Sequence, residues 1–424
     1  MISRSLASTA SVPRCAARKG LTYSGARSYA TASPVSSVTR QHRVAIVGGG
    51  AAGLNICHQL LRSGKFAKEH IAVIDPSTTH DYQPGWTLVG GGLKDKNDLR
   101  KPLASLIDPK IKFYNDGVSR FSPDENLVTL SDGAQINYEH LIVVPGIKTN
   151  FDAIRGLPEA LANPDSLVST IYSFESCDKV FKSVQKLQKG KALFTQPAGL
   201  LKCAGAPQKA MWLSLDYWKQ AGLYNPSDPS KSPINISFAT GLKTMFGVPK
   251  YSAKLEELRQ ERGVEGLFEH DLVAIEGNTA IFLLANEAGF VDVDESSTRH
   301  KKYHNVWSVG DASSLPTSKT AAAITAQAPT LVDNLLLALE NKAPQAVYDG
   351  YTSCPLLTER SKVLLAEFKY GGVPKETFSF LGIDQITPRR AFYHLKKDFF
   401  PWVYYQAMVK GTWGGPKGWI RNRG

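Results

Sequence analysis

A glycine pattern near residue 50 constrains the fold more than any other feature of the sequence. A short apolar run ends at Val47, and Gly48, Gly50 and Gly53 follow at the spacing Gly-x-Gly-x-x-Gly. The first glycine makes the turn, the second lets the backbone approach a pyrophosphate, and the third lets a helix pack on the strand. Asp75 ends the next apolar run, about 20 residues on, where an acid accepts ribose hydroxyls. The pattern predicts a dinucleotide-binding βαβ unit, with an ordinary glycine-rich turn as the alternative.

Three later segments indicate which dinucleotide binds. An apolar strand runs into Gly310 and Asp311. In flavoproteins with two dinucleotide-binding domains, such a Gly-Asp closes the flavin side of FAD. Residues 138–146, YEHLIVVPG, resemble the strand and turn that return from the small sheet insertion of the same proteins, and the Ala-rich residues 320–328 begin a helix towards the site. Together these segments predict FAD.

The net charge of +12 is concentrated at the two ends of the chain. Residues 1–43 carry seven Lys/Arg and no acid, and residues 389–424 carry eight Lys/Arg and one acid. The remaining body has 35 Lys/Arg and 37 Asp/Glu, which argues against a nucleic-acid surface. No apolar run approaches the roughly 18 residues that a membrane-spanning helix needs.

The first 40 residues predict a mitochondrial targeting segment. They are rich in Arg, Ser and Ala, they contain no acid, and they lack a continuous apolar core. Residues 27–30, RSYA, resemble a matrix-processing site with cleavage after Tyr29. A disordered basic tail is the alternative.

A second α/β unit is expected from about residue 150, but it lacks a second glycine fingerprint. The strand at 191–195, KALFT, is followed by QPAGLLKCAGAPQK, which gives a nicotinamide cofactor no pyrophosphate site of the expected kind. Cys203 occupies that turn, and Lys202 and Lys209 beside it favour a thiolate. Cys203 and Cys354 both lie in small loops that contain Pro and Gly. Spacing alone leaves open whether they are a redox pair or two unrelated buried cysteines.

Six motifs resemble those of the mitochondrial sulfide:quinone oxidoreductases, relatives of flavocytochrome c sulfide dehydrogenase and type II NADH dehydrogenases. They are GGGAAG, YQPGWTLVG, KCAGAPQK, GDASSLPTSKTAAA, VYDGYTSCPL and GTWGGP. The resemblance covers residues 43–419. It implies an α/β fold with two Rossmann-like dinucleotide-binding domains of the glutathione reductase type, followed by a C-terminal membrane-associated region.

The resemblance also implies an activity, with Cys203 and Cys354 forming a disulfide, or one bridged by extra sulfur, beside FAD. Hydrogen sulfide, as hydrosulfide, would attack this bridge and leave a persulfide on Cys203 and a thiolate on Cys354 packed against the flavin. Two electrons would pass to ubiquinone, and the persulfide sulfur to glutathione, sulfite or a second sulfide. No metal is implied.

By motif match, eleven residues are expected to contact FAD, with Lys319 placing positive charge near the isoalloxazine. They are Gly48, Gly50, Ala51, Ala52, Gly53, Asp75, Gln83, Val118, Gly310, Asp311 and Lys319. Tyr82 and Trp86, in the aromatic loop that also holds Gln83, are further candidates for the flavin wall.

The predicted organisation is a targeting segment at 1–40, a FAD-binding domain at 41–150 and 289–340, a second Rossmann-like domain at 151–288, and a C-terminal cysteine and membrane region at 341–424. After Ala280 the chain has some tens of residues fewer than the family pattern. An inactive flavin-binding remnant is therefore one alternative to a sulfide oxidase. An NADH:quinone oxidoreductase is the other, disfavoured by the missing second fingerprint.

The C-terminal region interleaves aromatic residues with Lys and Arg from Arg389 onward. The residues that recur at helical intervals are Phe392, Leu395, Phe399 and Trp402, and Pro401 is expected to divide the region into two short segments. Rings at headgroup depth and cations on anionic lipid predict monotopic attachment to the inner mitochondrial membrane. An aromatic face packed on the protein's own core is the alternative.

Overall fold

The structure is a computed structural model that describes residues 39–199, 202–277, 279–283 and 290–420. Apart from its last two positions, the predicted targeting segment lies outside these residues, together with its processing site after Tyr29. Residues 284–289, which follow the predicted shortening after Ala280, also lie outside them.

Strands and helices alternate at residues 39–74 and 190–268, and successive strands dominate residues 100–143. The strands are β1 Thr39–Val47, β2 Ile71–Ile74, β3 Thr79–Asp81, β4 Arg100–Pro102, β5 Lys112–Tyr114, β6 Val118–Ser122, β7 Leu127–Leu130, β8 Gln135–Val143, β9 Gly190–Gln196, β10 Ile234–Thr240, β11 Glu265–Phe268, β12 Asp271–Glu276, β13 Thr279–Leu283, β14 Val306–Trp307, β15 Thr352–Glu359, β16 Lys362–Lys369 and β17 Val373–Pro374. The helices are α1 Ala51–Arg62, α2 Trp86–Gly90, α3 Leu157–Ala162, α4 Cys177–Lys186, α5 Ala206–Gln220, α6 Pro249–Glu261, α7 Ala321–Ala338, α8 Arg390–His394 and α9 Phe400–Val403.

The first sheet has the strand order β5-β2-β1-β8-β7-β6, with β14 added parallel to β8. Strands β1, β2, β5 and β8 run parallel, and β6 to β8 form an antiparallel insertion. β1 carries Val44, Ala45 and Ile46, all fully buried, because both faces of the parallel sheet are covered. The predicted strand, turn, helix and second strand are confirmed.

A second parallel sheet, of order β11-β10-β9, contains the strand predicted at 191–195 as β9. Its core includes Trp212 of α5 and Tyr251 of α6. The antiparallel strands β15 and β16 share this core through Cys354 and Leu364. This packing brings Cys354 against the unit that carries Cys203.

Residues 390–408 form one helical run, so the expectation that Pro401 divides the region was wrong. The run passes from α8 through a wide, π-type stretch at 395–399 into α9, and through a second wide stretch at 404–408. Pro401 has no N–H to donate, and the wide turns on either side of it change the hydrogen-bonding step so that the helical path continues. Within the described residues, no helix has the length and apolar composition needed to cross a bilayer.

The C-terminal helical run, residues 390–408, is amphipathic. Phe392, Val403, Tyr404 and Met408 are buried against the rest of the protein, whereas the side chain of Trp402 is 53% exposed. One face of the run therefore packs on the core, as the alternative interpretation held, and the other face carries an exposed ring.

Candidate active site

A cavity of about 650 Å³ lies where the first sheet, the second unit and the C-terminal helical run meet. Its walls come from the glycine-rich turn, residues 79–87, the start of α7, the turn that carries Cys203, and the inner face of residues 395–408. Two helices begin at this cavity. Gly50 precedes α1, and Thr320 caps α7 by accepting a hydrogen bond from the Ala323 N–H at 3.0 Å. Helix N-termini favour phosphate and other anionic groups.

Gly50 leaves room for a ligand. A Cβ added there would meet no protein atom within 4 Å, and the residue lines the cavity. Gly48 and Gly53 do not line it. A Cβ at Gly53 would lie 1.9 Å from the Gly48 carbonyl oxygen, and Gly48 itself adopts φ +111°. These two glycines therefore permit the turn and the close approach of α1, and Gly50 faces the ligand space.

Asp75 helps to hold the glycine-rich turn as well as lining the cavity. Its Oδ2 accepts the Gly49 N–H at 2.6 Å, and its Oδ1 accepts the Ser77 N–H at 2.8 Å. A carboxylate has about four acceptor positions, so ribose hydroxyls can still donate to it. The sequence predicted the ribose contact but not the contact with the turn.

The structure brings most of the predicted cofactor residues to one cavity. Those that line it are Gly50, Ala51, Ala52, Asp75, Gln83, Gly310, Asp311 and Lys319, and Tyr82 and Trp86 line it too. Val118 does not line it: this residue begins β6 and pairs with Leu130.

A group of charged side chains occupies the end of the cavity near Gly310. Burial raises the pKa of Asp311, partly offset by Lys202 and Lys319. Burial lowers the pKa of Lys319 to about 8, and Asp311 opposes that shift. The Lys319 ammonium donates to the carbonyls of Ser313 at 2.5 Å and Leu315 at 3.2 Å. Because the pKa of Lys319 is about 8, the positive charge at this end of the cavity depends on pH.

Cys203 and Cys354 are free thiols whose Sγ atoms lie 3.9 Å apart. Cys203 lines the cavity and adopts φ +85°, an unusual value for a side-chain-bearing residue. Cys354 is 1% exposed on β15 and lies behind Cys203, outside the cavity lining. The register of β15 turns the Cys354 sulfur into the second core, and its packing against the flavin remains a prediction.

The two sulfur atoms differ in acidity. A hydrogen bond from Cys354, together with the charges of Lys209 and Lys396, holds the pKa of Cys203 well below that of an ordinary thiol. The pKa of Cys354 is raised, because Cys354 keeps the shared proton and is buried. Lys209 Nζ lies 3.4 Å from Cys203 Sγ. Cys203 is therefore the thiolate of the pair.

Lys396 was not predicted as a site residue. The sequence interpretation grouped it with cations for lipid, yet its side chain is buried and lines the cavity. Its neighbour Phe392, four residues earlier on the apolar stripe, was the available signal.

The carboxyl edge of the second sheet has no open nucleotide crevice in the described residues. A Cβ added at Gly241, after β10, would lie 2.5–2.7 Å from Cβ, N and Cα of Ala198, after β9. The two loops therefore touch where a dinucleotide would enter a Rossmann unit.

Fold and site together define a flavoprotein of the pyridine nucleotide-disulphide oxidoreductase class, and residues 42–192 match the family model of that description. The chain is 41% identical to the mitochondrial sulfide:quinone oxidoreductase of Schizosaccharomyces pombe, over 89% of this chain and 92% of that protein. It is 37% identical to that of Mus musculus, over 88% of each. The chain belongs to the family of mitochondrial sulfide:quinone oxidoreductases.

Two solved structures share the fold. The sulfide:quinone oxidoreductase of Aquifex aeolicus matches with a TM-score of 0.69 at 18% identity, covering 86% of this chain and 92% of that one. A chain of the Tetrahymena thermophila mitochondrial ATP synthase matches with a TM-score of 0.73 at 20% identity, covering 89% and 98%. At these identities the likeness concerns the fold alone.

Proposed function

We propose that the protein oxidises hydrogen sulfide at the Cys203–Cys354 pair and delivers two electrons through FAD to ubiquinone. One observation carries the proposal. The Sγ atoms of Cys203 and Cys354 lie 3.9 Å apart, and Cys203 lines the same cavity as the dinucleotide-binding turn. Family membership supplies the substrates, because its members oxidise sulfide with a quinone as acceptor.

The sulfur pair can be bridged directly or through one further sulfur. Either bridge draws the two sulfur atoms closer than the observed 3.9 Å, because an S–S bond is about 2.05 Å long and a bridging sulfur is bent. In thiol–disulfide exchange the sulfur of lower pKa leaves faster. Cys203 is thus the leaving thiolate and Cys354 retains the persulfide, the reverse of the roles that the family resemblance suggested. Glutathione, sulfite or a second sulfide then accepts the sulfane sulfur.

The cavity residues fit FAD. Gly50 and the N-terminus of α1 would receive the pyrophosphate, Asp75 the ribose, and Gln83, Asp311 and Lys319 the ring system. When bound, FAD accepts an electron pair from the sulfur centre and passes it to a quinone. The predicted contact of Val118 with the cofactor remains a prediction.

Membrane attachment is proposed through exposed apolar side chains of the C-terminal region. They are Phe380, Leu381, Trp402 and Trp419, each more than half exposed. Burial of these side chains in one leaflet would bring the cavity within reach of a long-tailed quinone. Phe399 and Phe400 belong to the cavity wall. The proposed location is the inner mitochondrial membrane.

An anaerobic titration tests the proposal. Sulfide is expected to bleach the flavin absorbance of the purified protein, an added quinone to restore it, and NADH to leave it unchanged. Bleaching by NADH alone would favour an NADH:quinone oxidoreductase. Bound flavin that neither reductant bleaches would identify an inactive flavin-binding protein.

A further inference from the structure

Three donors from separate parts of the chain line the same cavity as Cys203. They are Lys209 of α5, Lys396 of the C-terminal helical run, and Tyr82, which follows β3. Their side chains line the cavity, and the residues are only 2%, 3% and 4% exposed. Buried lysines ordinarily carry a paired acid, so two of them in one cavity require an explanation.

Their hydrogen bonds leave donors unused. An ammonium has three donors, and among the described residues Lys396 Nζ contacts a single acceptor, the Pro84 carbonyl oxygen at 3.3 Å. Lys209 Nζ donates to Cys203 Sγ at 3.4 Å. The Tyr82 hydroxyl has no hydrogen-bond partner in the described part of the chain, although its ring packs on Tyr404 with centroids 4.7 Å apart.

The nearby acids have other partners. Asp81 accepts two hydrogen bonds from Arg100, each 2.7 Å long. The charge of Asp311 is partly balanced by those of Lys202 and Lys319. The charge that remains to face the two lysines is the Cys203 sulfur. Burial and the charge of Lys209 lower the pKa of Lys396 to about 7. The charged form of Lys396 is therefore destabilised in the cavity, and a nearby anion offsets this destabilisation.

We propose that Lys209, Lys396 and Tyr82 form a leaving-group site for the Cys203 sulfur, with Lys396 the stabilising residue that the C-terminal helical run supplies. The inference rests on the proposed function. As hydrosulfide forms a new S–S bond, the bond to Cys203 breaks and its electron pair stays on the Cys203 sulfur. The proton of the hydrosulfide stays on the new persulfide. Preorganised donors placed where charge develops lower the barrier of such a step.

The groups that face Cys203 come from several elements. Cys354 lies on β15, Lys209 on α5, Lys396 on the C-terminal helical run, and Lys202 and Asp311 lie farther along the cavity. A substitution at one of them therefore changes one contribution and leaves the others in place.

The test measures Cys203 itself. The flavin-loaded, prereduced protein is alkylated with iodoacetamide over a range of pH, and the Cys203 peptide is quantified by mass spectrometry. Lys396→Met is expected to raise the midpoint by about one pH unit, a tenfold loss of thiolate below it. Lys396→Arg should retain most of the parent's reactivity. Tyr82→Phe, which removes only the hydroxyl, should give a smaller rise.

Two matched controls separate this role from loss of structure. Lys397→Met removes the neighbouring, partly exposed lysine, which pairs with Asp398. Tyr405→Phe removes a hydroxyl that donates to the Leu99 carbonyl outside the cavity. Neither should move the midpoint. An unchanged midpoint in Lys396→Met, or an equal shift in Lys397→Met, would overturn the proposal.

Sulfide-driven bleaching provides the second readout. Lys396→Met should slow it roughly tenfold, since the positive charge that stabilises the leaving Cys203 sulfur is lost. If the parent protein is not bleached by sulfide, the proposed function fails. The alkylation midpoints then still decide whether Lys396 stabilises the thiolate.

Discussion

The side-chain amide of Asn55 donates a hydrogen bond to the backbone carbonyl of Met408 at 2.6 Å, across 353 positions of sequence. His58 Nδ1 lies 2.8 Å from the Val409 carbonyl oxygen, and Arg62 donates to the carbonyls of Lys410 and Gly411. One face of the dinucleotide-binding helix α1 thus caps the end of the C-terminal helical run. These bonds add to the backbone bond that the Met408 carbonyl accepts from the Gly411 N–H.

We expect a chain ending at Pro388 to lose its flavin as well as its membrane binding, because residues 395–416 supply one wall of the cavity. The milder Asn55→Ala should lower the free energy of unfolding by about 1–3 kcal/mol, since it removes the bond to the Met408 carbonyl and leaves the buried Gln59 amide without its Asn55 acceptor. Denaturant unfolding and the flavin-to-protein ratio measure both effects. Asn150→Ala, at an exposed asparagine, is the control. A truncated chain that kept full flavin occupancy would contradict this packing.

Gly50 and Gly53 are expected to respond differently to the same added methyl group. Gly50→Ala should fold with the parent's thermal midpoint but retain less FAD, because the new Cβ has room in the protein and points to the pyrophosphate space. Gly53→Ala should lower stability by about 1–3 kcal/mol or more, since helix α1 must move away from the Gly48 carbonyl. Flavin occupancy and thermal melts separate the two. Equal losses of both properties would argue against these roles.

Cys203→Ser and Cys354→Ser are each expected to abolish sulfide-driven bleaching while FAD stays bound, because both sulfur atoms take part in one exchange reaction. Cys57→Ser is the matched control. Cys57 is fully buried on α1, and its Sγ donates to the Leu54 carbonyl, which a hydroxyl can also do. Anaerobic absorbance spectra provide the measurement. Near-normal bleaching in either site variant would exclude the paired mechanism.

Lys396 should make stability depend on pH. Its pKa is about 7 in the folded protein and about 10.4 when unfolded, so the unfolded chain binds the extra proton between these values. Stability is therefore lost as pH falls from about 10 towards 7. Lys396→Met removes this term and should melt higher than the parent at pH 7, with the difference shrinking towards pH 10. Melts of the pair across that range decide it, and a constant difference would contradict the shift.

The exposed rings should govern membrane binding. Phe380→Ser combined with Trp402→Ser is expected to reduce cosedimentation with cardiolipin-containing vesicles, because both apolar side chains are lost from the proposed lipid face. Sulfide-driven bleaching should persist, since neither side chain lines the cavity. Val347→Ser, at a side chain that is 71% exposed, controls for loss of surface apolarity. Unchanged pelleting of the double variant would place the attachment elsewhere.

The glycine-rich unit could be predicted from sequence because its signals are local. The turn, the helix and the acid at Asp75 lie within one βαβ unit. The pairing of Cys203 with Cys354, 151 positions apart, rested on family resemblance, and the order of the two sulfurs at the cavity required the register of β15. Lys396 was missed although Phe392 lies on the same stripe, because its burial depends on a continuous helical run that packs on the rest of the protein.

The contact between Ala198 and Gly241 limits which metabolites can drive the protein. Where related folds keep a crevice for a nicotinamide nucleotide, two loop backbones here lie against each other. A nicotinamide nucleotide could enter at this edge of the second sheet only if these two loops moved apart.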